Sequence, residues 1–140
     1  MKLPDVNVWL AGVWARHAQH QIARQWFDEQ PDELAFCRIT QMGLLRLITN
    51  PAVAGSEAQS RRRAWELFRN LMGDPRTQFL HEPQGLEALW VTFSQRDDAS
   101  HKLWTDDYLA AFALAANAEL VTFDRSLTKR YPSVHIVHLR

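Results

Sequence analysis

Leu109-Ala110-Ala111-Phe112-Ala113-Leu114-Ala115-Ala116-Asn117-Ala118-Glu119-Leu120-Val121-Thr122-Phe123-Asp124 decides the fold. Leu109, Phe112, Ala113 and Ala116 recur at i, i+3, i+4 and i+7, one face of a helix predicted over about 106–118 with Thr105 as its cap. The period then changes. Glu119 to Phe123 reads as a short strand, closed by Asp124. A helix that runs straight into an apolar strand is the repeating unit of layered α/β sheets.

The same alternation holds on the N-terminal side. An extended start at 2–4 leads to helices at about 6–15 and 18–29, the second ended by Pro31-Asp32. Leu34-Ala35-Phe36-Cys37 reads as a buried strand. Thr40 opens a helix with Leu44, Leu45 and Ile48 on its apolar face, stopped by Asn50-Pro51. Ser56 is expected to cap a helix at 57–72. A strand at Thr77–His81, a helix at 85–95, a short helix at Ser126–Arg130 and a last strand at Val134–His138 complete the pattern. Five strands separated by helical connections favour parallel pairing, so the expected architecture is α/β, with a central, mainly parallel sheet flanked by helices. Sites in such sheets form outside the carboxyl ends of the strands.

The 140 residues amount to one domain, 1–140. Hydrophobic residues at 46% and charged residues at 23% fit a folded globule rather than a disordered chain. The single cysteine, Cys37, excludes an internal disulfide framework and a cysteine-rich zinc site. No apolar stretch approaches the ~18 residues of a membrane span. An acid at position 5 argues against a signal peptide, and a cytoplasmic protein is expected. The net charge is zero, yet 13 of the 16 basic residues are arginine, the side chain suited to bidentate phosphate contact.

Three acids stand where an α/β sheet would gather them. Asp5 closes the first strand and Asp124 the fourth, so both belong to the carboxyl edge. Asp106 lies three residues before Leu109 and extends the apolar stripe towards the sheet, while Asp107, about 100° further round, is expected to face outwards. Each acid also has an ordinary role. Asp5 or Asn7 would cap the first helix, Asp124 would cap the short helix after it, and Asp106 would complement a helix dipole. Together, however, converging carboxylates repel, and a hard divalent cation such as Mg²⁺ or Mn²⁺ relieves that repulsion.

Leu3-Pro4-Asp5-Val6-Asn7-Val8-Trp9-Leu10, Ile39-Thr40-Gln41-Met42-Gly43-Leu44-Leu45-Arg46, Thr105-Asp106-Asp107-Tyr108-Leu109-Ala110-Ala111-Phe112-Ala113 and Val121-Thr122-Phe123-Asp124-Arg125 resemble, in order, the four motif blocks of PIN-domain proteins. They are most similar to the VapC toxins of type II toxin–antitoxin modules. The resemblance implies a three-layer fold and a Mg²⁺-dependent endoribonuclease, with Mn²⁺ as a possible substitute. Its metal ligands and catalytic acids would be Asp5, Asp106 and Asp124, supported by Asn7, Gln41 and Thr122. It further implies a homodimer, a tRNA or rRNA substrate whose cleavage stops translation, and inhibition by a VapB-like antitoxin.

One position departs from the family pattern: Gln41 stands where a Glu is usual. Its carbonyl accepts a hydrogen bond but brings no charge, leaving three negative groups rather than four. A catalytically weak or inactive module that binds RNA or protein is therefore the alternative. Setting aside Asp5, Asp106, Asp107 and Asp124, basic residues exceed acidic ones by four, and Arg38 and Arg125 are the expected RNA contacts. Arg61-Arg62-Arg63 fans round a helix and reads as a solvated face. Trp26, Trp65 and Trp90 are expected in the core. Trp9, Trp14 and Trp104 are open between core packing and stacking on a base. His101, near the start of the Asp106 helix, is a lesser candidate for proton transfer.

Overall fold

β1 (Lys2–Pro4) occupies the centre of a five-stranded sheet, between β2 (Leu34–Phe36) and β4 (Glu119–Thr122). β3 (Thr77–Phe79) and β5 (Ile136–His138) form the edges, giving the order β3-β2-β1-β4-β5. Every pairing is parallel, with Leu3 beside Leu120 and Pro4 beside Val121. The structure is a computed structural model that describes residues 1–31 and 33–140. Asp32, half of the expected Pro31-Asp32 stop, lies outside the described residues.

Alternation along the strands creates two cores. Leu3, Ala35 and Leu120 face α6 (Leu86–Ser94), α7 (Leu103–Ala115) and α8 (Ser126–Arg130), meeting Leu86, Leu109, Phe112 and Leu127. Leu34, Phe36 and Val121 face the other way, towards α1 (Val6–Val13), α2 (His20–Glu29), α3 (Arg38–Ile48) and α5 (Arg61–Met72). Trp9 is buried in this second core, stacked on Phe36 at 3.9 Å between ring centroids and 5.0 Å from Phe27. Sheet and two helical layers thus follow from a period of two in the strands and 3.6 in the helices.

Several helix boundaries differ from expectation. Ser60, not Ser56, caps α5, its hydroxyl accepting the Arg63 N–H at 3.2 Å. Residues 51–57 instead form a short helix, α4 (Pro51–Ala54), and a 3₁₀ turn at Gly55–Glu57. Asn50 caps α4 and Pro51 sits at its start, where a fixed φ and a missing N–H cost nothing, so Asn-Pro ends one helix and opens another. α3 begins at Arg38, because Thr40 reaches back to the Cys37 N–H at 3.0 Å rather than capping from outside. α7 begins at Leu103, three residues before the expected start at 106, so Thr105 lies inside its first turn rather than capping it. Trp65, expected in the core, is 45% exposed. The buried positions of α5 are Ala64 and Phe68, and Trp65 lies one residue off that line.

Gly43 brings α3 against the start of α1. A Cβ there would stand 2.6 Å from Val6 Cγ2, one residue from Asp5. Among the described residues no helix is long and apolar enough to cross a membrane.

Phe36 is fully buried between Trp9 and Phe68. Phe36→Ala is expected to destabilise the fold by about 3–5 kcal/mol, read as a lower midpoint in urea unfolding followed by tryptophan fluorescence.

Candidate active site

Parallel register brings the ends of β1 and β4 to the same edge. Immediately after β1, the Asp5 N–H donates to the Val121 carbonyl at 2.9 Å, extending the ladder by one bond. The Asp5 side chain then serves two neighbours. Oδ1 accepts the Val8 N–H at 3.0 Å and caps α1, and Oδ2 accepts the Thr122 hydroxyl at 2.5 Å. Thr122 is fully buried at the end of β4, and its Oγ1 also accepts the Asp124 N–H at 3.0 Å. A single neutral hydroxyl therefore joins the first acid to the backbone of the last. The ordinary capping roles are made as well, since Asp124 Oδ1 accepts from the Ser126 N–H at 2.8 Å and the Ser126 hydroxyl at 2.7 Å.

The three acids feel one another. Burial lifts the Asp5 carboxyl to about 6, against the hydrogen bonds from Thr122 and Val8, and the charge on Asp106 pushes the same way as burial. Asp106 is also raised, first by burial and then by the charges of Asp124 and Asp107, while Arg130 opposes the rise. Asp124 is lowered, chiefly by the Ser126 hydroxyl and N–H. Asp106 thus lies within electrostatic reach of both strand-end acids. All three predicted acids belong to one side of the molecule.

The orientation expected of the acid pair on α7 is reversed. Asp107, expected outside, is only 6% exposed and accepts a hydrogen bond from the buried Tyr131 hydroxyl. Asp106, expected on the buried stripe, is half-buried. The cause is the width of that stripe. Asp107 to Ala113 is buried without a break, because α7 packs against both the sheet and α6. An apolar period read from small alanines does not fix the phase of such a helix.

The supporting residues divide. Asn7 is exposed, with its backbone N–H helping to hold Asp5. Gln41 is buried, and its Oε1 accepts from Arg38 Nη1 at 2.7 Å. Arg38 also lies over the Phe79 ring at 4.7 Å, so this predicted rim arginine is braced by Gln41. Arg125 lines a surface cavity of about 340 Å³ with Thr128, His138 and Arg140. Sequence reasoning missed Arg130 and Tyr131. Arg130 Nη1 approaches Asp106 Oδ2 at 3.5 Å. The only signal for either was their place one short helix after Asp124, where α8 turns back on α7.

Among the described residues, no three His, Cys, Asp or Glu side chains close into a ready-made metal cage. The chemistry of the donors nevertheless fits a hard divalent ion. Asp5, Asp106 and Asp124 offer carboxylate oxygens, burial disfavours charge on the first two, and Arg130 is the one cation paired with them among the described residues. Mg²⁺ is commonly held by one or two carboxylates and retained waters, for which an open set suffices.

The sequence profile of the family described as PIN domain matches residues 2–131. Ribonuclease VapC41 of Mycobacterium tuberculosis is 42% identical over 135 residues, covering 92% of each chain. Among solved structures, M. tuberculosis VapC20, described as a sarcin-ricin loop cleaving toxin, superposes with a TM-score of 0.70 at 15% identity, covering 92% of this chain and 94% of its own. VapBC2 of Rickettsia felis, bound to a DNA fragment from its promoter, superposes at 0.68 with 13% identity, covering 98% and 97%.

Two outcomes test the electrostatics. Asp5 is raised in the folded state, so the unfolded chain releases this proton first and stability falls as pH rises from about 4 to 6. In EDTA, Asp5→Asn is expected to flatten that fall and to leave the variant more stable than the parent at pH 7.5, by up to roughly 3 kcal/mol, in urea titrations at each pH. Tyr131→Phe strands the buried Asp107 carboxylate and is expected to cost about 1–3 kcal/mol, measured the same way.

Proposed function

Because this chain belongs to the PIN domain family and matches a VapC ribonuclease along nearly its whole length, we propose that it is a metal-dependent endoribonuclease toxin of the VapBC type. Asp5, Asp106 and Asp124 are its catalytic acids and metal ligands, Mg²⁺ is its ion with Mn²⁺ as a substitute, and tRNA or rRNA is its substrate. The observation that supports this reading is the chain of contacts around Asp106, whose charge disfavours ionised Asp5 and is itself disfavoured by Asp124, while Thr122 joins Asp5 to the backbone of Asp124.

A divalent cation held there supplies charge stabilisation at a phosphoryl oxygen and a more acidic water. The chain's own part is positioning. Thr122 and Val8 fix both oxygens of Asp5, so the carboxylate keeps its orientation without a cationic partner among the described residues. Ser126 keeps Asp124 ionised. Arg130 stands beside Asp106 with donors left for a phosphate oxygen. Hydrolysis adds water to phosphorus and breaks the bond to the 3′ oxygen, which takes up a proton, leaving 5′-phosphate and 3′-hydroxyl ends. Gln41, engaged by Arg38, braces an arginine at the rim instead of supplying a fourth charge.

Cleavage in this reading inhibits translation, and a VapB-like antitoxin neutralises it. Several solved relatives with this fold are toxin–antitoxin complexes, which supports such a partner. A homodimer is proposed on the same family grounds.

Purified protein is expected to cut folded tRNA or rRNA in Mg²⁺ and to fail in EDTA. Asp5→Ala and Asp106→Ala are each expected to lower the cleavage rate by about 100-fold or more. Full activity in both variants would remove the assignment. RNA binding with no cleavage under any metal condition would favour the binding-only module.

A further inference from the structure

Between the end of α6, the loop at 95–102, the start of α7 and α8 lies a cavity of about 320 Å³ that the acid cluster does not use. It is lined in part by Arg96, Asp98, His101, Trp104, Asp107 and Arg130. The volume sits at the small end of the ~300–1,000 Å³ typical of ligand pockets, enough for one flat group and its attachments rather than a run of chain.

Its polar groups lean towards an anionic, aromatic guest. Arg130 belongs to both places, lining the cavity while Nη1 lies 3.5 Å from Asp106. Arg96 is held by its Nε donating to the Phe93 carbonyl at 3.1 Å, and among the described residues no carboxylate pairs with it. The two acids are already engaged, Asp98 with the Ser100 N–H at 3.0 Å and Asp107 with Tyr131. Trp104 is 56% exposed, the most open of the large hydrophobic side chains. Trp90 steadies it, donating its indole N–H to the Trp104 carbonyl at 3.2 Å and meeting its ring edge-on at 6.1 Å. A steadied, exposed indole beside free guanidinium donors is the combination that stacks an unpaired base and holds its phosphate.

We infer that this cavity receives an unpaired nucleotide of the RNA beside the scissile phosphate, its base against Trp104 and its phosphate towards Arg96 and Arg130. The inference rests on the ribonuclease reading for its substrate, but not for its test. Binding is measured in EDTA, where that reading allows no cleavage, by fluorescence anisotropy of a fluorescein-labelled, single-stranded RNA decamer of random sequence. Trp104→Ala is expected to weaken binding by roughly 5- to 100-fold, and Trp104→Phe, which keeps a stacking face, by less than about threefold. Arg96→Ala is expected to weaken it and to flatten its salt dependence. Circular dichroism checks that each variant is folded. Wild-type affinity in Trp104→Ala would overturn the cavity's assignment, even if the enzyme cleaves RNA in Mg²⁺. Loss of binding in Trp104→Ala beside a wild type that never cleaves would keep the cavity and overturn the hydrolytic reading. A wild type that does not bind the decamer would overturn the cavity's assignment and leave the hydrolytic reading to the cleavage of folded RNA in Mg²⁺.

Discussion

The register of β1 on β4 governs everything that follows. Parallel neighbours leave the sheet at the same edge, and with Pro4 beside Val121 the residue after one strand faces the last residues of the other. An antiparallel pair would have sent Asp5 and Asp124 to opposite ends. The buried Thr122 hydroxyl turns this proximity into a fixed relation, donating to Asp5 and accepting from the Asp124 backbone. A charged residue at 122 would either neutralise Asp5 or add to its repulsion. A hydroxyl orients the carboxylate and leaves the local charge unchanged.

The acid cluster works against the stability of the fold. Burial and mutual repulsion make ionised Asp5 and Asp106 unfavourable in the folded chain. The neighbouring interactions are arranged to hold them in place. Asp107 and Tyr131 join α7 to the end of α8 from within, and Arg130, next in sequence, is thereby set beside Asp106. On the other face, the Trp9, Phe36 and Phe68 rings pack α1, β2 and α5 together. A site that relies on crowded like charges needs this rigid support around it.

Much of this could be read from the chain, for identifiable reasons. Strand-end acids were readable because Leu120-Val121-Thr122-Phe123 is a short, bounded apolar run, and the residue that ends such a run in a parallel sheet is at the carboxyl edge. Helix starts were harder. Ser56 and Ser60 offer the same capping chemistry four residues apart, and only the turn built by Asn50-Pro51 decides between them. The phase of Asp106-Asp107 is not legible in the sequence because a helix buried on more than one side has no single apolar direction and is set by packing against α6 as well as the sheet. The partnership of Gln41 with Arg38 is local, three residues apart, but an amide that both donates and accepts fits the acids and the guanidinium alike, so its choice follows from packing. Arg130 and Tyr131 carried no pattern at all, since their partners lie 24 positions away in sequence.

The outer strands, β3 and β5, are each three residues long. Edges this brief expose few unsatisfied amides and carbonyls, so they are poor templates for continuation of the sheet by another polypeptide. Any assembly of this molecule must then be written in side chains on its helical layers, where Met42, Trp65 and Val91 reach solvent, rather than in backbone ladders.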